Sequence, residues 1–215
     1  ECRREVLGRP RDVRHADPPP PPESLPTTLP APADESSPPA SAVSGPRVLA
    51  VFNHKGGTGK TTTAVSVAAG LAAAGRKVLL VDFDPQGSLS VGLGVNPHTL
   101  DTSIYDLLLN KSTAAEDVIT RTVVPGLDLL PSNIDLSAAE VQLVHEVARE
   151  QTLGRVLAPV LDKYDLILID CQPSLGLLTV NALTAAHGVV IPLECEFFAL
   201  RGVALLVETI EKVKD

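Results

Sequence analysis

The most constraining feature of the chain is a glycine-rich turn between a short apolar run at 48–52 and an alanine-rich segment. Glycine has no Cβ, so Gly56, Gly57 and Gly59 can adopt positive φ and let consecutive backbone amides approach an anion. A helix that begins near Lys60 would direct its free N–H groups to the same point. This order of strand, turn and helix predicts a phosphate-binding loop, or P-loop.

The end of the turn predicts the kind of ligand. Lys60 can neutralise charge on the β and γ phosphates, and the Thr61 hydroxyl can bind Mg²⁺. The loop, which includes Thr58 and Thr62, is therefore predicted to bind a magnesium nucleoside triphosphate. One alternative is a chance glycine turn between a strand and a helix. The other, a dinucleotide fingerprint, requires a third small residue where Thr62 stands.

Strand-like and helix-like segments alternate after the P-loop, which predicts an α/β fold. The predicted strands are 48–52, 77–82, 127–130, 166–170 and 188–193. The predicted helices are 61–74, 103–109, 137–148, 152–161, 176–186 and 200–214, the first ended by Gly75 in a left-handed conformation. Several strands are continuously apolar, as is typical of strands covered on both faces. We expect an open, mainly parallel sheet flanked by helices, with its ligand at the carboxyl ends of the strands.

Acidic residues stand where these strands end. Asp82 and Asp84 follow the second strand, and Asp170 ends the hydrophobic run at 166–169. Asp170 is predicted to hold Mg²⁺ directly or through water, although a turn or helix-capping aspartate is the alternative. An extended backbone would point Asp82 and Asp84 the same way, but the turn at Pro85 leaves this open. Either residue could instead be a solvated loop charge.

Two motifs resemble the ParA/Soj family of deviant Walker ATPases: the loop Lys55-Gly-Gly-x-Gly-Lys-Thr and the box Asp82-x-Asp84-Pro-Gln-Gly. The resemblance covers 47–215 and implies ATP and Mg²⁺ as cofactors and ATP hydrolysis as the activity. It implies that Lys55 reaches the nucleotide of a second subunit across a face-to-face dimer. It also implies that Asp84 orients the attacking water, and that Asp82 supports the Mg²⁺ shell beside the Walker B residue Asp170.

The resemblance also implies a cellular role. Such proteins are ATP-dependent dimerisation switches that bind DNA without sequence preference and partition chromosomes or plasmids, while a ParB-type partner stimulates hydrolysis. A cytoplasmic, nucleoid-associated protein with no membrane partner is therefore expected. The alternatives are a MinD-like positioning ATPase for a protein assembly or membrane partner, a small-molecule kinase or ligase, and a scaffold without hydrolysis. Gln172 stands where the family usually has proline, close enough to the Mg²⁺ site to affect the rate.

Composition separates a tail from the predicted ATPase domain. Residues 1–46 hold 12 of the 19 prolines and are predicted to be a disordered or polyproline-II tail. Residues 47–215 are predicted to be an ATPase domain without its C-terminal part, since the family continues with further strands and a helix. The formal net charge of −8 gives no global basic field, and the three cysteines lack paired spacing. No apolar run reaches the roughly 18 residues of a membrane span.

Overall fold

The computed structural model describes residues 47–194, 206–208 and 210–211, which contain a six-stranded sheet and flanking helices. The strands are β1 (Arg47–Val51), β2 (Val78–Phe83), β3 (Thr120–Arg121), β4 (Leu127–Leu130), β5 (Leu166–Cys171) and β6 (Gly188–Val190). The helices are α1 (Lys60–Ala73), α2 (Ser88–Gly92), α3 (Ile104–Leu109), α4 (Ala115–Val118), α5 (Leu136–Gln142), α6 (Thr152–Leu157) and α7 (Leu177–Ala185). The predicted tail at 1–46 lies outside the described residues.

The sheet order is β3-β4-β2-β5-β1-β6, and all pairs are parallel except β3 with β4. The predicted α/β architecture, an open and mainly parallel sheet, is therefore confirmed. β5 lies between β1 and β2, with Asp170 opposite Val51 on one side and Asp82 on the other. The three segments that carry the predicted site residues thus leave the sheet side by side at its carboxyl edge.

Both faces of the sheet are buried under helices, as the continuously apolar strands predicted. In β2 every residue is buried. Leu79 and Val81 join one core cluster, whereas Val78 and Leu80 join the other. The second cluster includes one face of α1, formed by Ala64, Ala68 and Ala72. Side chains that small let the helix approach the sheet closely and hold the P-loop in a fixed place above it.

The end of α1 is the glycine stop that the sequence predicted. Gly75 adopts φ 83°, and its N–H donates to the Ala72 carbonyl at 2.9 Å. The Arg76 N–H donates to the Leu71 carbonyl at 3.0 Å. These two bonds satisfy carbonyls that a helix end leaves free, in the Schellman arrangement. The chain then turns directly into β2.

The predicted helix at 137–148 is wrong in its second half. The α-helix ends at Gln142, a 3₁₀ turn covers Leu143–His145, and Ala148 adopts a left-handed φ of 51°. The Arg149 guanidinium donates to the Val144 carbonyl at 2.6 Å. This side chain supplies the Val144 carbonyl with the donor that a continuing helix would have given it.

Other boundaries also differ from the prediction. The predicted helix at 152–161 is α-helical only to Leu157 and continues as a 3₁₀ turn over Ala158–Lys163, because Pro159 has no N–H to donate. The strand predicted at 188–193 ends at Val190. The short elements α2, α4 and β3 were not predicted. Of the predicted helix at 200–214, only 206–208 and 210–211 are described, and these are helical.

Candidate nucleotide and magnesium site

The P-loop leaves β1 and enters α1 through two left-handed glycines. Gly57 has φ 78° and Gly59, which caps α1, has φ 80°, whereas Gly56 does not adopt the positive φ that its lack of a Cβ would allow. A Cβ built on any of these three glycines has no neighbour within 4 Å. The glycines therefore border open space at the N-terminus of a 14-residue helix. Backbone amides around such a space suit a phosphate group.

Lys60 is the first residue of α1 and is held inside the loop. Its side chain is only 8% exposed, and its Nζ donates to the Lys55 carbonyl at 3.2 Å. The ammonium group is thus oriented by the backbone of the turn that it closes. Of the other predicted loop residues, Thr58 donates its hydroxyl to the Lys55 carbonyl at 3.4 Å, and Thr62 is exposed on the first turn of α1.

Asp82 and Asp84 have different environments, which resolves the question left open by the Pro85 turn. Asp82 is completely buried in β2, and its Oδ2 accepts from the Ser90 amide at 2.8 Å and hydroxyl at 2.7 Å. Asp84 is half-buried and its Oδ1 accepts from the Gln86 amide at 3.0 Å. Asp82 therefore fastens α2 to the sheet, while Asp84 lies in the turn beyond the strand.

Burial dominates the ionisation of Asp82. It raises the pKa of this carboxyl to about 6, although hydrogen bonds from Ser90 and the Asp84 amide act in the opposite direction. The Asp84 amide lies 3.3 Å from Oδ1, so both carboxylate oxygens of Asp82 have donors within the chain. Its expected place in a magnesium shell stays a prediction.

Asp170 ends β5 beside the P-loop and is 2% exposed. Its Oδ1 is buried without a hydrogen-bond partner. The pKa of Asp170 is raised to about 7, chiefly by burial and also by the charges of Asp82 and Asp84, whereas a hydrogen bond from Thr61 and the charge of Lys60 act in the opposite direction. A buried oxygen without a donor is costly, so this one is well suited to a cation.

The chemistry of these donors fits Mg²⁺. The ion keeps several waters and usually takes only one or two protein carboxylates together with phosphate oxygens. The Asp170 carboxylate and the adjacent Thr61 hydroxyl supply such a partial shell. Among the described residues no group of three His, Cys, Asp or Glu side chains converges as a complete metal cage. A hydrated ion that shares its shell with phosphates matches this donor set.

Lys55, predicted to contact a second subunit, pairs with Glu194 of its own chain. Its Nζ lies 2.7 Å from Glu194 Oε2, and its amide donates to the Asn53 side chain at 3.0 Å. The amide group of Asn53 in turn donates to the Pro192 carbonyl at 2.9 Å. Neither Asn53 nor Glu194 was predicted, because no local signal links residues that are 139 positions apart in the chain.

Gln172 follows Asp170 by two residues and carries a second unsatisfied polar atom. Its Nε2 is buried and has no hydrogen-bond partner. The end of β5 therefore holds one unpaired acceptor, Asp170 Oδ1, and one unpaired donor, Gln172 Nε2. A magnesium triphosphate carries the complementary cation and anionic oxygens.

The left-handed P-loop glycines, the buried lysine and the acidic end of β5 together define a P-loop nucleotide-binding protein. A family model described as "AAA domain" matches residues 46–215. An uncharacterized protein of Mycobacterium tuberculosis is 52% identical over 191 residues, covering 88% of this chain and 58% of that protein. The chromosome partitioning protein ParA of Caulobacter vibrioides is 47% identical over 170 residues, covering 78% of this chain and 63% of that protein.

A similar solved structure is described as cobyrinic acid a,c-diamide synthase from Mycobacterium smegmatis with bound ATP analog and magnesium. It is 49% identical, has a TM-score of 0.75, and the match covers 78% of this chain and 68% of that one. The chain belongs to the ParA/Soj-like family of P-loop ATPases. It spans about three fifths of the length of the curated relatives, 58% and 63% for the two above. The described part of the chain has no helix long and apolar enough to cross a bilayer.

Proposed function

We propose that the protein is a magnesium-dependent ATPase whose ATP-bound state dimerises and binds DNA without sequence preference, to partition a chromosome or plasmid. The observation that carries the nucleotide part is the buried Asp170 Oδ1, which has no partner and lies beside the P-loop. An unpaired carboxylate oxygen at this place suits a nucleotide-bound cation. The relatives named above support the partition part, since one of them is a chromosome partitioning protein.

The residues divide the work of hydrolysis. The P-loop amides and Lys60 would bind the phosphates, and Thr61 and Asp170 would hold the magnesium ion, with Asp82 supporting that end of the sheet. The ion, when bound, offsets the charge that develops on the phosphate oxygens. Asp84 lies outside the strand and is half-buried, which supports the role of accepting a hydrogen bond from the attacking water. This keeps the water in line with the bond that breaks.

Dimerisation supplies the switch. Lys55 extends from the loop that holds the nucleotide, and its side chain is about half exposed at 49%. In a face-to-face dimer it would contact the partner's nucleotide, so the two subunits associate only while ATP is present. A ParB-type protein stimulates hydrolysis, and the dimer then separates and releases nucleoid DNA. DNA contacts of this kind are made to phosphates and weaken steeply with salt.

A small-molecule synthase is the second candidate, because the similar Mycobacterium smegmatis structure carries such a description. That function needs a substrate cavity that opens on the γ phosphate. A cavity of about 460 Å³ is present, but α3, α4, α6 and the 3₁₀ turn after α5 line it, including Leu107, Leu143 and Val156, and no P-loop residue does. This cavity therefore does not open on the P-loop, and the partition role is favoured by the chromosome partitioning relative.

The test uses the full-length protein with Asp84→Ala to block turnover. Light scattering after gel filtration compares its mass with Mg-ATP and Mg-ADP, and DNA binding is then measured at low and moderate salt. A dimer formed only with ATP, with salt-sensitive DNA binding, supports the proposal. If the protein dimerises with ATP but does not bind DNA, the cargo would instead be a protein assembly or a membrane. A protein that stays monomeric with ATP contradicts the switch and favours the synthase.

A further inference from the structure

The ion pair between Lys55 and Glu194 joins the P-loop to the segment that follows β6. Lys55 Nζ and Glu194 Oε2 are 2.7 Å apart, and the two side chains are 49% and 38% exposed. The backbone near both residues is fixed by Asn53, which accepts from the Lys55 amide and donates to the Pro192 carbonyl. The carboxylate of Glu194 is therefore held beside the P-loop and does not meet Lys55 by chance.

This contact competes with the role proposed for Lys55. A lysine that binds a phosphate of the partner's nucleotide must turn its ammonium group away from its own chain, and Glu194 holds that group by charge. A carboxylate near the dimer face also repels an incoming triphosphate. Both effects favour the separated subunits, and both disappear if residue 194 is neutral.

We propose that Glu194 is a positioning residue that restrains Lys55 in the monomer and thereby sets the concentration at which the ATP dimer forms. The proposal rests on the dimer described under "Proposed function". Glu194 is one of the groups that Lys55 contacts, and the proposed restraint comes from its negative charge. The expected changes in dimer affinity have opposite directions: removal of the Glu194 charge strengthens dimerisation, whereas removal of Lys55 abolishes it.

The size of the effect follows from the exposure of the pair. An exposed ion pair changes an equilibrium constant by up to about fivefold. A symmetric dimer releases two such pairs, so Glu194→Gln should tighten the dimer by about two- to thirtyfold. The gain should shrink as salt rises from low to moderate concentration, because screening weakens the pair in the monomer.

A second ion pair of the same geometry provides a matched control. Lys163 Nζ and Glu116 Oε1 are also 2.7 Å apart, and their side chains are 53% and 42% exposed. Lys163 follows α6, and Glu116 lies in α4, away from the P-loop. Glu116→Gln removes the same charge from a similar surface pair and should leave the dimerisation constant unchanged.

The experiment is sedimentation equilibrium of the full-length protein, carrying Asp84→Ala, with saturating Mg-ATP. Glu194→Gln should tighten the dimer, Glu116→Gln should not, and Lys55→Ala with Glu194→Gln should stay monomeric. An equal constant for Glu194→Gln and the parent protein, or a weaker dimer, overturns the proposal while leaving the ATP dimer intact. If neither the parent protein nor Glu194→Gln dimerises, the proposed ATP dimer is contradicted, and so is the proposed role of Glu194.

Discussion

Asp82 and Asp170 lie directly opposite each other on the neighbouring strands β2 and β5, and both are almost completely buried. Neither carboxylate has an arginine or lysine ion pair in the described part of the chain. Burial raises the pKa of both groups, and the charge of Asp82 contributes to the rise at Asp170. Two buried acids side by side destabilise a protein without its cation, and the bound cation removes that penalty.

The first prediction concerns pH. Asp170 has a pKa of about 7 in the folded protein against an ordinary 3.8, so between these values the folded state binds more protons than the unfolded state. Its contribution to the free energy of unfolding therefore falls as pH rises from 4 towards 7. Asp170→Asn should flatten this part of the pH dependence and raise the melting temperature of the nucleotide-free protein at pH 8.

Thermal unfolding of the parent protein and of Asp170→Asn between pH 5 and 8, without nucleotide, measures this effect. Mg-ADP should stabilise the parent more than Asp170→Asn at pH 8, because the variant lacks the carboxylate that is proposed to hold the ion. Parallel pH profiles for the two proteins would show that Asp170 is ionised equally in the folded and unfolded states.

The second prediction separates binding from turnover. Asp84→Ala should retain nucleotide affinity and lower the hydrolysis rate by at least about a hundredfold, since the role proposed for Asp84 is to contact the attacking water and not the nucleotide. Lys60→Ala should instead lose nucleotide binding, because it removes the cation inside the P-loop. Calorimetric titration with a non-hydrolysable ATP analog and a phosphate-release assay distinguish the two. Rapid turnover by Asp84→Ala would assign the water to another group.

The third prediction concerns Gln172, whose Nε2 is buried without a partner. A buried unsatisfied donor costs about 1–3 kcal/mol, so Gln172→Leu should raise the stability of the nucleotide-free protein by about 1 kcal/mol. If this donor contacts a phosphate oxygen, the same variant should bind Mg-ATP more weakly. Urea unfolding and calorimetric titration give the two quantities. An unchanged ATP affinity would mean that Gln172 has no contact with the nucleotide.

The fourth prediction tests the packing of Glu140 on the loop between β5 and α7. A Cβ on Gly176 would overlap the Glu140 carboxylate, and one oxygen of that carboxylate is buried without a partner. Gly176→Ala should therefore destabilise the fold by less than about 1 kcal/mol, since the end of the flexible Glu140 side chain can move aside, and Glu140→Ala should remove this loss. Gly70→Ala is the control, since its Cβ meets nothing within 4 Å and should stabilise α1. Equal losses with and without Glu140 would contradict the contact.

The sequence predicted the central strands and the P-loop because each is a local signal. β2 and β5 are continuous apolar runs, and the P-loop glycines stand immediately before the helix that they cap. The acidic residues at the strand ends were also found, since parallel strands bring their carboxyl ends together. Whether Asp82 and Asp84 share one environment could not be read from the sequence, because the answer depends on Ser90 in a five-residue helix that lacks a capping signal.

Long-range contacts account for most of what was missed. The pair between Lys55 and Glu194 joins residues 139 positions apart, and nothing near either residue indicates its partner. The early end of α5 is accompanied instead by a local contact, in which the Arg149 guanidinium donates to the Val144 carbonyl five residues before it. In both cases a flexible charged side chain decides the outcome, and its reach is not encoded in the periodicity of apolar residues.

The antiparallel strand β3 has a consequence for self-assembly. It covers the outer side of β4 with only two residues, and its Arg121 is exposed. A short charged strand is a poor template for another chain's backbone, so filaments built by strand addition are disfavoured at this border. Association of copies through this edge is therefore disfavoured, and the proposed ATP dimer would have to form through another surface.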